Sequence, residues 1–110
     1  MMSNRDVFHI EWAMFRGMLR VLILSMLEKS RMRGYQILKV IRQLTGRKPS
    51  MSTIHDILTE LESKNLIKSI ITQTSEKYYQ ITEIGEKTLN EIRARCKSKI
   101  MNVLNLIFET

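Results

Sequence analysis

Apolar residues recur at steps of three and four along most of this chain, and the pattern switches to alternation in one short stretch. From Asp6 to about Lys29, the positions Phe8, Trp12, Phe15, Leu19, Leu22, Ile23, Met26 and Leu27 predict one long helix. Gly17 falls inside that run and marks a kink or a break between two helices. Arg31-Met32-Arg33-Gly34 reads as a short connection. Tyr35, Ile37, Leu38, Ile41 and Leu44 then predict a second helix of about three turns, with Gly46 placed to cap its C-terminus.

A third helix opens after the basic turn Arg47-Lys48-Pro49. Ser50, Ser52 and Thr53 can each cap it, and Ile54, Ile57, Leu58 and Leu61 carry its apolar face to about Asn65. Leu66–Thr72 and Lys77–Thr82 are β-branched and aromatic segments flanking a polar tip, Gln73–Glu76, and read as a hairpin with Tyr79 turned inward. From Thr82 onward Leu89, Ile92, Cys96, Ile100, Val103 and Ile107 predict a last long helix, whose apolar stripe is longer than the small domain it has to cover.

Helix, helix, turn, helix, hairpin, long helix is the order of a winged helix-turn-helix. The expected fold is mainly α with a small β-hairpin wing, followed by a long C-terminal dimerisation helix. It divides into an N-terminal helical extension (1–15), a DNA-binding winged helix-turn-helix (16–82) and the dimerisation helix (83–110), all within one compact domain. A chain of 110 residues has no room for a second independent core.

Charge narrows the partner. The balance of 18 Lys+Arg against 11 Asp+Glu gives +7, which favours a polyanion: nucleic acid or an anionic membrane surface. The most apolar run, Val21–Leu27, is bounded by Arg20 and by Glu28-Lys29, far short of the roughly 20 residues that cross a bilayer. No membrane partner is expected, and the N-terminus lacks the pattern of a secretory signal. Cys96, the single cysteine, excludes an intramolecular disulfide and suits a reducing, cytoplasmic setting. One Cys with His9 and His55 in separate elements makes neither a metal site nor a catalytic constellation, and there is no phosphate-binding glycine loop. The chain is therefore expected to be neither an enzyme nor a cofactor protein.

The third helix is the place where a polyanion would bind. Unpaired N–H groups at its N-terminus, beside Arg47 and Lys48, suit a phosphate, and Ser50, Ser52 and Thr53 can donate to phosphates or bases. Ser50 and Ser52 are equally well explained as helix caps. With Ile54, Leu58 and Leu61 inward, His55, Asp56, Thr59 and Glu60 lie off the core face. His55 joins the candidate contacts, although a surface or packing histidine is the plainer reading, while Asp56 and Glu60 are left to solvent because carboxylates repel phosphates. Lys68 and Lys77, flanking the hairpin tip, are the candidate wing contacts to the backbone.

Four stretches, in order, resemble the PadR family of transcriptional regulators, a resemblance that spans roughly residues 16–92. Arg16–Leu24 is similar to the family's opening helix and Arg33-Gly34-Tyr35-Gln36-Ile37 to its Gly-Tyr-polar-Ile signature. Pro49–Ile54 with Leu58 and Leu61 resembles the recognition-helix region, and Lys77–Gly85 the wing and its exit. Ser52 stands where the family usually has Gly, and His55 where it has Tyr, so base preference is not carried over. The resemblance implies a homodimer on double-stranded DNA, with repression as the commoner mode for so small a regulator. The C-terminal helix would pair through Leu89, Ile92, Cys96, Ile100, Val103 and Ile107, with Trp12 and Phe15 as interface aromatics. For Cys96 a buried thiol is the simpler reading than an intersubunit disulfide. Two alternatives stand beside this one: a small apolar effector bound near Trp12, Met14 and Met18 at the dimer interface, and a winged helix that binds another protein.

Overall fold

The computed structural model describes residues 3–47 and 49–109. Helix α1 spans Asn4–Lys29 without interruption. Its start is fixed by a reciprocal cap: Asp6 N–H donates to Ser3 Oγ and Ser3 N–H donates to Asp6 Oδ2, both at 3.3 Å. The break expected at Gly17 does not occur. One glycine costs a helix about 1 kcal/mol, which long helical flanks on both sides can offset.

Helix α2 runs Gly34–Thr45, so Gly34 opens the helix rather than ending the connection before it. Ile37, Leu38 and Ile41 are buried, whereas Tyr35 (65% exposed) and Leu44 (63%) are not. Tyr35 precedes Ile37 by two residues, about 200° around the helix, and so faces away from the core. Gly46 ends α2 in the left-handed region (φ 69°), its N–H donating to the Arg42 carbonyl at 2.9 Å.

Helix α3 spans Met51–Ser63, and Asn65 (φ 61°) turns the chain out of it. Strands β1 (Ile67–Ile71) and β2 (Lys77–Ile81) pair antiparallel, with Ile67 opposite Ile81 at the base and Ile71 opposite Lys77 at the tip. The opposite edge of β2 is also used. Met32 and Tyr79 exchange both backbone hydrogen bonds, at 3.0 and 2.8 Å, so the connection between α1 and α2 flanks the hairpin. A single paired residue carries no alternation that a sequence pattern could reveal.

The core draws on every element. Leu19, Ile23, Leu24 and Leu27 of α1 meet the buried residues of α2, Ile54, Ile57, Leu58 and Leu61 of α3, Ile67 and Tyr79 of the hairpin, and Leu89 of the last helix. Helix α4 covers Glu83–Ile107 and buries only Gly85 and Leu89. The long helices make the domain elongated, 54 × 31 × 20 Å.

The entry to α4 is tightly built. The Thr82 hydroxyl accepts from Gly85 N–H at 3.0 Å and donates to the carbonyls of Asn65 and Leu66, while Thr82 N–H donates to the Leu66 carbonyl at 3.0 Å. Gly85 sits so close to that carbonyl that a Cβ would overlap its oxygen and also meet Ile81 Cγ1. Two cross-helix ion pairs complete the frame: Arg93 with Glu28, joining α4 to α1, and Arg20 with Glu60, joining α1 to α3.

Candidate nucleic-acid interface

The buried residues of α3 leave a solvent-facing strip of Met51, Ser52, His55, Asp56 and Thr59, all exposed. Ser50 caps the helix. Its Oγ accepts from Thr53 N–H at 3.0 Å and lies 2.9 Å from the Thr53 hydroxyl, so those two side chains engage each other, while Ser52 and His55 have no side-chain partner among the described residues.

Glu60 is withdrawn from this strip. Arg20 grips it through two bonds, Nε to Oε2 at 2.6 Å and Nη2 to Oε1 at 2.8 Å, and Lys64 adds a third cationic contact at 3.6 Å. The Arg20 hydrogen bonds hold the Glu60 carboxyl well below its ordinary value, at about 2. A carboxylate that would repel a phosphate is thereby matched from within the protein.

Arg47 follows Gly46 in the turn between α2 and α3, half-buried. Its backbone N–H donates to Thr45 Oγ1 at 3.2 Å, and its guanidinium lies 5.0 Å from the centre of the Phe8 ring of α1. Among the described residues no carboxylate pairs with it. Lys48, the second cation expected in this turn, lies outside the described residues.

The two lysines of the hairpin are not equivalent. Lys77 flanks the tip opposite Ile71, its Nζ 5.3 Å from the centre of the Tyr79 ring. Lys68 does not flank the tip: it pairs with Gln80 near the base, and the two-residue alternation puts it on the other face. That outer face holds side chains the sequence reading missed. The Arg31 guanidinium lies over the Tyr78 ring, 4.8 Å from its centre, Tyr78 donates to Glu76 at 2.9 Å, and Arg33 approaches the same carboxylate at 3.8 Å. Arg31 and Arg33 flank the one paired residue, Met32, and three residues in a connection are too few to read as a strand.

The residues expected at a dimer interface divide into two groups. Leu89 is 0% exposed within its own chain and belongs to the domain core, because the first turns of α4 are anchored there by Thr82 and Gly85. It offers no surface to another chain. Ile92 and Cys96 are half-buried, and Ile100, Val103 and Ile107 are exposed, as are Met101, Leu106 and Phe108 beside them. On α1, Trp12 is half-buried and packs against the core, and Phe15 is half-buried. A shallow depression next to Trp12 is lined by His9, Ala13, Arg16, Gly17 and Arg20, all from α1 itself. Among the described residues no group of His, Cys, Asp and Glu could hold a metal ion, and no helix is long and apolar enough to cross a membrane.

A recognition-type helix with an open face, a preceding cationic turn and a β-hairpin at its side define a winged-helix protein of the DNA-binding class. The Transcriptional regulator PadR-like family matches residues 23–91, well over half of the chain, and the chain belongs to that family. It is similar to the solved structure of a PadR family transcription regulator from hypervirulent Clostridium difficile R20291, with 32% identity, a TM-score of 0.67, and coverage of 79% of this chain and 97% of the other. A transcriptional regulator from Clostridium thermocellum is 25% identical with a TM-score of 0.72 over 100% of both chains. A PadR-like transcriptional regulator from Bacillus cereus strain ATCC 14579 shares the fold at 22% identity, with a TM-score of 0.77 over 89% of this chain and 99% of the other. Among curated protein sequences, none matches significantly.

Proposed function

We propose that this regulator binds double-stranded DNA as a homodimer and represses transcription, with α3 in the major groove and the hairpin on the flanking backbone. The observation that carries this reading is the open face of α3. Among the described residues, Ser52, His55 and Thr59 are exposed with no side-chain partner, and Arg47, just before the helix N-terminus, has no carboxylate partner. Ser50 and Thr53 contribute mainly by ordering that N-terminus, whose N–H groups suit a phosphate. Lys77 is the better of the two wing contacts because it lies at the tip. Pairing would use Ile92, Cys96, Ile100, Val103 and Ile107 of α4 with Trp12 and Phe15 of α1, and the exposed apolar stripe of α4 supports it.

The test is selection of bound duplexes from a random pool. Two related half-sites at a fixed spacing of about one helical turn or a multiple of it are expected. Recovery of no preferred sequence would overturn the specific-binding reading and favour a protein-interaction role for the winged helix. Loss of Arg47 should weaken binding to all sequences alike and lower the salt slope by about 0.9.

The depression beside Trp12 supports a second reading, control by a planar apolar effector. Every residue lining it comes from one helix, so a second helix packed against it would be needed to enclose a ligand. Quenching or a spectral shift of Trp12 fluorescence on titration with planar aromatic compounds is the expected response, and a flat titration would remove this reading.

A further inference from the structure

We infer that Phe8, in the N-terminal extension, is a positioning residue for Arg47 and so makes the start of α1 part of the DNA-binding machinery. The inference rests on the reading of Arg47 as a backbone contact and adds what holds it. Residues 3–10 are exposed throughout, with Phe8 at 49%, so packing against the core does not explain an aromatic residue there. Its ring lies 5.0 Å from the Arg47 guanidinium.

Arg47 is fixed from two sides. From α2, the left-handed Gly46 and the bond from Arg47 N–H to Thr45 Oγ1 set its backbone. From α1, the Phe8 ring places its π-face against the guanidinium, whose carbon lies over it at 5.0 Å from the centroid. A phenyl ring on one side of the guanidinium cannot use up its five N–H donors, so donors remain for a phosphate. An arginine already held in a usable orientation loses less side-chain freedom on binding than one free in solvent. A lysine could not use the ring in the same way, because its ammonium is a point charge without a planar face or a fork of donors.

The experiment is a double-mutant cycle on the full chain, read as equilibrium binding to a fluorescein-labelled random-sequence duplex at low salt. Arg47→Ala is expected to weaken binding. Phe8→Ala is expected to weaken it about two- to fivefold, the range of an exposed cation–π contact. Phe8→Tyr should restore binding, and Phe8→Ala should add nothing once Arg47→Ala is present. If Arg47→Ala leaves binding unchanged, the reading of Arg47 fails and the inference with it. If Arg47→Ala weakens binding but Phe8→Ala is neutral, strengthens it, or acts additively with Arg47→Ala, the inference alone is overturned. Additivity would mean that Phe8 acts elsewhere, for instance through dimerisation.

Discussion

Replacing Gly85 by alanine sets two effects of opposite sign against each other, and the structure decides between them. In a helix, Gly→Ala is ordinarily worth up to about 1 kcal/mol of stabilisation. At Gly85 the added methyl overlaps the Leu66 carbonyl oxygen and meets Ile81 Cγ1, so backbone or side chain must move. Overpacking of this kind costs about 1–3 kcal/mol. Moving Leu66 also strains the two bonds its carbonyl accepts from Thr82, from N–H at 3.0 Å and from the hydroxyl at 3.1 Å. Each is worth about 1 kcal/mol net. Together these leave a net loss of about 2–4 kcal/mol. For a domain of this size that lowers the thermal midpoint by about 8–16 °C.

Gly17→Ala is the control, since nothing lies within 4 Å of a Cβ there. It should stabilise by up to about 1 kcal/mol. Urea unfolding followed by far-UV circular dichroism measures both variants, and runs at two protein concentrations separate folding from association. A Gly85→Ala protein as stable as the parent, or more so, would refute the close approach of α4 to Leu66.

Four further outcomes are expected. Because Glu60 is held at about 2, the folded state takes up its proton later than the unfolded chain; its contribution is complete above the ordinary carboxylate range and is lost as pH falls through about 2, so Glu60→Gln should flatten the acid limb of stability measured by urea midpoints at successive pH values. Leu89→Ala should cost about 2–5 kcal/mol of folding stability. By contrast, Ile100→Asp should leave unfolding of the isolated domain nearly unchanged while reducing self-association in sedimentation velocity. Ser50→Ala should cost about 1 kcal/mol in thermal unfolding, through loss of the cap on α3.

The helices and the hairpin were legible because each buries one continuous face, and periodicity reports such faces directly. Ile54, Ile57, Leu58 and Leu61 of α3 and Tyr79 of β2 were readable for that reason. Periodicity cannot say what covers a face, and so Leu89 was grouped with Ile100 and Val103 although the domain encloses the first and exposes the others. It is also blind to contacts between distant segments. Arg20 with Glu60, Arg31 on Tyr78 and Arg47 on Phe8 all join elements far apart in the chain. These contacts decide which charges near α3 are already matched and which remain for a ligand, and only the fold reveals them. Lys68 was misjudged by distance along the strand, because its place near the base follows from register rather than composition.

The pairing of Met32 with Tyr79 also bears on how this protein limits strand-to-strand association through its wing. A two-stranded hairpin normally offers two open edges to any passing strand, a route to unwanted association. Here the α1–α2 connection occupies the β2 edge at Tyr79, its middle residue, so a continuous foreign strand cannot pair along it, and β1 forms the other edge. That edge is only five residues long, and although it holds Ile70 and Ile71 it also carries the charged Lys68. Short length and a charge both discourage the addition of a foreign strand. The Met32 contact thus acts as a guard rail, letting the chain keep a small, β-prone wing without inviting sheet growth.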